Sequence, residues 1–171
     1  MLFRSIAREI GLIVGIGVEV EVDGVTLQGF KRLVVSLNPR PHTNPPPPRF
    51  QVNRVWVTGA GREDGRCAPE DGSTLRLRRG VMVDLAPDPN EDRWYERYQV
   101  LTAAGRLEER SERAFYSWYA TDGTFARGLT QAPTRNNVWG APAAPGDETL
   151  WVFLRDGHGG TSGCRVAITV E

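Results

Sequence analysis

Alternating apolar and polar positions predict short β-strands separated by turns. The clearest case is the C-terminal segment, where Val166, Ile168 and Val170 alternate with Arg165 and Thr169. Side chains at every second position of a strand point to the same face, so this alternation predicts a half-buried strand. We expect Val166 and Ile168 to lie in a core.

The segment before it predicts a hairpin partner. TLWVFLRDG (149–157) is separated from GCRVAITVE (163–171) by a glycine-rich stretch, with Asp156-Gly157 as its turn. Val152 and Leu154 are predicted core positions. Trp151 and Phe153 make the other face of this strand apolar too. The strand is therefore central in its sheet, or one of its faces meets a partner.

The stretch AFYSWYATDGTF (114–125) is the densest aromatic segment. Alternation places Tyr116, Trp118 and Ala120 on one face and Phe115, Ser117 and Tyr119 on the other. We predict that Trp118 packs in the core, as a tryptophan on the third strand of a sandwich does. The alternative is a carbohydrate-stacking surface. Asp122-Gly123 is predicted to turn the chain.

Three segments divide the chain. Residues 1–37 contain a hairpin over 12–37 with an Asp23-Gly24 turn, interpreted as the last two strands of a domain whose beginning is missing. Within them, residues 1–5 are suspected to be an artefact, since LFRS matches the translation of a sequencing-adapter end. The proline-rich 38–48 segment is predicted to be a semi-rigid linker. Residues 49–171 are predicted to form the main domain.

Composition supports an all-β fold. The 171 residues include 19 glycines and 12 prolines, which favour turns over helices. Strands separated by turns at short spacing, without helical periods, predict a sandwich or barrel in 49–171. Within it, Gly80 is expected to mark a bulge where the apolar phase shifts. The exposed segment 103–112 is expected to contain a helical turn.

Charge predicts that the chain has no nucleic-acid partner, and hydropathy predicts that it has no membrane-spanning helix. The chain has 21 basic and 21 acidic residues, and no basic stripe separates from the acidic ones, so we expect no nucleic-acid partner. No apolar run reaches the roughly 18–20 residues of a membrane helix.

The cysteines leave two readings open. Cys67 and Cys164 would pair in an exported protein and remain free thiols in the cytosol. With only His42 and His158 to help, they do not suggest a zinc site.

Catalytic motifs are missing from the sequence. His42 lies in the proline segment and His158 in a turn, and G-x-S-x-G is absent. Asp122, Asp147 and Asp156 are better explained by turn chemistry than by calcium binding. We therefore predict no catalytic, metal-binding or cofactor-binding residues and no cofactor.

Residues 112–171 resemble bacterial immunoglobulin-like or PKD-like domains. The resemblance lies in the tryptophan-containing strand, DGTF (122–125), WGAP (139–142), Pro145-Gly146 and RDGHGG (155–160). It implies an immunoglobulin-like β-sandwich of about seven strands in 49–171, preceded at 1–37 by the end of a truncated domain of the same kind. It further implies a non-catalytic structural or adhesive module of a secreted or cell-envelope protein, often a lipoprotein. Its partners would be other immunoglobulin-like domains of the same chain, or surface ligands. Alternatives are a carbohydrate- or ligand-binding module and an accessory domain of an extracellular enzyme.

Overall fold

The all-β prediction is confirmed. The computed structural model describes residues 11–35, 42–61 and 64–171. The suspected artefact at 1–5 lies outside these residues, as does the part of the linker at 38–41. A short 3-10 helix covers Glu91–Trp94, and the described strands are β1 Leu12–Val22, β2 Val25–Val35, β3 Arg49–Val52, β4 Val55–Thr58, β5 Ala68–Pro69, β6 Leu75–Leu77, β7 Met82–Pro87, β8 Arg97–Leu101, β9 Leu107–Ser111, β10 Phe115–Ala120, β11 Thr124–Phe125, β12 Leu129–Gln131, β13 Asn137–Gly140, β14 Gly146–Arg155 and β15 Thr161–Val170.

The chain forms two units whose boundaries differ from the sequence prediction. The first comprises Met1–Thr43 and Glu96–Glu112, and the second comprises Asn44–Tyr95 and Arg113–Glu171. A segment expected inside the sandwich domain therefore belongs to the first unit. Local alternation specifies strands but not their long-range partners, so an insertion of this kind leaves no mark in the pattern.

The first unit contains the predicted hairpin of β1 and β2. Its strands pair antiparallel from Leu12↔Val35 to Val22↔Val25, around Asp23-Gly24. The even-numbered residues of β1 and their partners form one face, which is mostly apolar and exposed. A lone two-stranded hairpin is marginally stable in water.

The first unit also contains a second hairpin, which includes residues 103–112. The prediction of a helical turn there was wrong. β8 and β9 pair antiparallel, and Gly105 in their turn has φ +73°. At the base of this hairpin, His42 Nδ1 lies 2.7 Å from Glu96 Oε2, and the Thr43 hydroxyl donates to Glu96 Oε1 at 2.6 Å. Burial raises the pKa of Glu96, but the bonds from Thr43 and His42 outweigh it and leave the pKa below its usual value.

The second unit is a sandwich of two sheets. One sheet has the order β12-β10-β14-β15-β6, with β15 and β6 parallel, and the other has β11-β13-β7-β3-β4-β5. One buried cluster draws side chains from both sheets, and the rings of Phe50 and Trp118 meet edge to face at 5.8 Å. Alternating positions of both sheets therefore share one core.

The central strands follow the order of immunoglobulin sandwiches. β3-β7-β13-β11 takes the A-B-E-D order, and β10-β14-β15 takes the C-F-G order. Two additions extend this pattern. Strands β4 and β5 lie beyond β3 at the sheet edge, and β6 pairs parallel with the last strand.

Gly80 does not form the expected bulge. It lies in a turn with φ +67° between β6 in one sheet and β7 in the other. The shift of apolar phase between Leu77 and Val83 therefore marks a chain that crosses from one sheet to the other. Both a bulge and a crossing move apolar residues to new positions, so the phase shift alone does not distinguish them.

Residues 44–48, at the end of the segment predicted to be a linker, pack on the sandwich and do not act as a free spacer. Asn44 Oδ1 accepts from the Thr161 amide at 3.3 Å, and the Pro46 carbonyl accepts from the Ser162 hydroxyl at 2.6 Å. Pro45 and Pro48 are buried. Proline lacks an amide donor but keeps its carbonyl, which lets an extended proline segment accept hydrogen bonds from a strand.

Arg49 joins three parts of the six-stranded sheet. Its guanidinium lies 2.7 Å from Glu70 Oε1 and 2.8 Å from Asp88 Oδ2, over the ring of Trp56 at 3.9 Å. The hydrogen bond from Arg49 lowers the pKa of Glu70. Burial raises the pKa of Asp88, but hydrogen bonds from Asn90 and Arg49 outweigh it and leave the pKa lowered.

Arg49→Gln should make stability less dependent on acid pH. A carboxylate with a lowered folded pKa stabilises the fold above its unfolded pKa, and this contribution is lost as pH falls through the folded pKa. We therefore expect the free energy of unfolding of the wild type to fall more steeply than that of Arg49→Gln between about pH 5 and 3. Urea titrations at several pH values measure this. Parallel curves would show that Arg49 does not set these two pKa values.

Candidate functional site

The outer face of the five-stranded sheet carries a group of aromatic side chains. We call Phe115, Tyr119, Trp151 and Phe153 the aromatic face. They occupy alternate positions of β10 and β14, the strands whose other positions fill the core. Tyr119 is 52% exposed, and the other three are half-buried. The face lies on neighbouring strands of a packed sandwich, where backbone positions are well fixed.

Strand register arranges the face in rows. Tyr119 lies opposite Trp151, and Trp151 lies opposite Arg165 on the other side. Phe115 lies opposite Arg155 in a second row across the strands, near the other end of the face. Directly opposite residues of an antiparallel pair share a face, with Cβ atoms about 4.5–5.5 Å apart. Each row therefore places an aromatic ring beside an arginine.

Glycines shape the surface beneath two of the rings. A Cβ on Gly163 would lie 2.5 Å from Phe153 Cδ1, and one on Gly157 would lie 2.9 Å from Phe115 Cε2. Both rings therefore lie directly against the backbone. Tyr119 then meets Phe153 edge to face, with ring centroids 5.9 Å apart. Such contacts hold exposed rings in defined positions.

The two arginines carry uncompensated charge. Arg155 donates to the Ser117 hydroxyl at 2.5 Å, and both arginines are exposed. Neither one forms an ion pair with a described residue. The acidic groups nearby on this sheet are engaged, since Asp147 accepts from Thr169 at 3.0 Å and Glu171 pairs with Arg76 at 3.3 Å.

A groove borders this surface beyond Arg165. It encloses about 570 Å³ and is lined by residues of the 66–75 segment together with Thr149, Arg165, Ala167 and Thr169. A cavity of about 640 Å³ lies on the other sheet, but there Asn137 exchanges hydrogen bonds with the backbone of Arg127 at 3.1 and 2.6 Å. Those bonds hold a loop, so the aromatic face is the stronger candidate.

The structure places Trp118 in the core and not on a stacking platform. It is 2% exposed, and its indole N–H donates to Thr130 Oγ1 at 2.9 Å. Val152 lies opposite it on β14, and Leu154, Val166 and Ile168 are buried in the same core cluster. Trp139 is also fully buried, whereas Trp151 is half-buried on the aromatic face.

Both Asp-Gly turns predicted in the main domain are built from specific contacts. The Asp122 carbonyl accepts from Trp139 Nε1 at 3.1 Å, and Gly123 has φ +89°. At the second turn, Asp156 Oδ1 accepts from the amides of His158, Gly159 and Gly160 at 2.7, 2.9 and 2.9 Å. Gly157 has φ +78°. These aspartates hold loops.

Cys67 and Cys164 form a disulfide. It joins the segment before β5 to β15, across 97 residues of sequence, and both cysteines are buried. The Cys67 amide also donates to the Arg165 carbonyl at 2.7 Å. The bridge therefore anchors the loop that lines the groove beside the aromatic face.

Sequence reasoning assigned the aromatic residues to faces of two separate strands, but it did not join those strands into one surface and missed the arginines beside them. Alternation placed Trp151 and Phe153 on one face. The pairing of Trp151 with Arg165 depends on the register of the terminal hairpin, and no charge run marks it. The length of the glycine-rich turn from Asp156 to Gly160 was the available signal, because loop length helps to fix hairpin register.

Comparisons with known proteins leave the function open. No family model matches the chain, and no curated protein matches it. A solved structure from Saccharophagus degradans, described as a nucleoside hydrolase-related hypothetical protein associated with carbohydrate metabolism, gives a TM-score of 0.38 at 16% identity. The match covers 75% of this chain and 26% of that one. A likeness this low carries no argument. Among the described residues, no helix has the length and apolar character needed to cross a membrane.

Proposed function

We propose that this chain is a non-catalytic adhesive module of a secreted or cell-envelope bacterial protein, and that it makes contact through the aromatic face. The observation that carries the proposal is the row of partly exposed rings on central strands of the sandwich. Exposed, contiguous apolar surface on a soluble protein is typical of an interaction site. Aromatic residues and arginine are the types enriched in such sites.

The chemistry of the face suits binding. Its principal groups are aromatic rings and guanidinium groups, and arginine stays protonated at physiological pH. Such a surface attracts and positions a ligand without exchanging protons with it. The rings resting on glycine backbone lose little freedom when a ligand binds, which lowers the entropic cost of association.

The disulfide supports the proposal of export. Disulfides persist in oxidising compartments and are rare in the cytosol. The resemblance of residues 112–171 to immunoglobulin-like or PKD-like envelope modules supports the same location, and lipoprotein attachment in a longer protein is part of that proposal. Other domains of such a protein are further candidate partners.

Binding to surface material tests this function. The purified protein is applied to immobilised envelope fractions, matrix proteins and polysaccharides, beside a Tyr119→Ala/Trp151→Ala variant. We expect the wild type to be retained on at least one surface and the variant to lose at least about tenfold in affinity, a typical hot-spot effect. Met82→Ala is the matched control, because Met82 is 66% exposed on the other sheet.

Two outcomes would contradict the proposal. One is a wild type that no surface retains. The other is a double variant that binds as the wild type does while thermal unfolding shows that both are folded.

A further inference from the structure

We infer that the ligand of the aromatic face is an acidic polysaccharide, whose sugar rings stack on Trp151 and Tyr119 and whose carboxylates pair with Arg165 and Arg155. The inference rests on the proposed function and names the ligand class for the same surface.

Stacking accounts for the aromatic part of the surface. Tyr119 and Trp151 lie side by side in one row, and Phe153 follows Trp151 on the same face of β14. Positions two apart on a strand are about 6.6–6.8 Å apart. The face thus offers several adjacent apolar platforms, as an extended polymer of rings requires. A side chain such as Tyr or Trp gives a flat apolar body with a polar tip, which matches a sugar ring that has both C–H and hydroxyl groups.

Charge accounts for the acidic part of the ligand. Arg165 lies opposite Trp151, and Arg155 lies opposite Phe115 and two positions from Phe153 on β14, so the aromatic face has a cation at each end. A guanidinium binds a carboxylate through two parallel hydrogen bonds. Because neither arginine has an ion pair with a described residue, binding a carboxylate would not require an existing pair to break.

Single-stranded nucleic acid is the competing class, since it too binds to aromatic rings and basic residues. Two observations favour the polysaccharide. The chain has zero net charge, and two further arginines beside this sheet are paired, Arg66 with Asp64 at 3.2 Å and Arg76 with Glu171 at 3.3 Å. A nucleic-acid groove needs a positive track along many phosphates. The disulfide also supports export, to where extracellular polymers are found.

Titration calorimetry with defined polymers tests the ligand class. The probes are polygalacturonate, alginate and hyaluronate, with methyl-esterified polygalacturonate as the neutral match and a dT oligonucleotide as the competitor. We expect at least one uronate polymer to bind, and the ester and the oligonucleotide to bind at least about tenfold more weakly. The affinity should fall as salt rises, because exposed charges are screened.

Three variants assign the contacts. Arg165→Gln should weaken uronate binding about tenfold and reduce its salt dependence, while Trp151→Ala should abolish binding. Arg76→Gln is the matched control, because it removes an equal charge from an arginine of the same sheet that Glu171 already pairs. It should change affinity less than about twofold, as expected for an exposed pair.

Each contrary result has a distinct meaning. If the aromatic face retains surface material but binds no uronate polymer, the ligand class is wrong and the adhesive function stands. Tighter binding of the oligonucleotide would likewise overturn the polysaccharide. Loss of all binding, including surface retention, would overturn the proposed function as well.

Discussion

Replacing Cys67 and Cys164 together by alanine is expected to lower the free energy of unfolding of the sandwich by about 4–5 kcal/mol. The bridge spans 97 residues. A cross-link of that span removes much of the conformational freedom of the unfolded chain, and the loop-entropy relation gives about this value. Both sulfurs are buried beside β15, so alanine leaves small voids that add to the loss. Urea denaturation of the wild type and the variant measures the difference.

Reduction provides the control for this prediction. Reducing agent should destabilise the wild type by a similar amount and leave the double variant unchanged. A wild type whose stability is the same with and without reducing agent, in samples where free-thiol titration confirms reduction, would show that the bridge does not stabilise the fold.

Gly123→Ala is the second change with a large expected effect. Gly123 has φ +89°, where an L-residue with a Cβ is strained by about 1–2 kcal/mol. The new Cβ would also lie 2.4 Å from both the Gly140 carbonyl oxygen and Trp139 Nε1. Overpacking of this kind typically costs about 1–3 kcal/mol. We therefore expect a total loss of about 2–5 kcal/mol in the free energy of unfolding.

Gly72→Ala separates the two causes. Gly72 has φ +74°, but a Cβ there would meet no atom within 4 Å. Its substitution should cost only the backbone strain, about 1–2 kcal/mol. Equal losses for the two variants would mean that the Asp122-Gly123 turn is not packed against Trp139.

Local pattern was sufficient to predict most of the strands. Val166, Ile168 and Val170 alternate with polar residues, and the structure has a strand there with those residues buried. Trp118 could be placed in the core because its neighbours at two-residue spacing are also apolar. These predictions succeed because one buried face of a strand imposes a period of two on the sequence.

Long-range pairing could not be read in the same way. The 96–112 hairpin interrupts the sandwich, and its second strand, Leu107–Ser111, is polar and exposed, so no alternation marks it. The crossing at Gly80 resembled a bulge because both shift the apolar phase. Which strand lies beside which is decided by packing of the whole core, and this information is spread over the chain.

For the same reason, the sequence predicted only part of the candidate site. Two-residue spacing put Phe115 and Tyr119 on one face of their strand and Trp151 and Phe153 on one face of theirs, but it did not show that the two strands are neighbours. Arg165 joins them only through its register with Trp151. The sequence likewise could not decide whether the cysteines are paired, because sequence spacing carries no information about whether Cys67 lies near Cys164.

The indole N–H signals of the five tryptophans offer the most direct test of the claim that this module binds through the aromatic face. Trp118 and Trp139 are buried, with their indole groups hydrogen-bonded to Thr130 and Asp122, whereas Trp151 lies on the aromatic face. In an NMR titration with any surface ligand that the protein retains, we predict that the Trp151 indole signal shifts most. A titration in which Trp151 stays unmoved, while the signal of Trp56 on the other sheet shifts, would contradict the account.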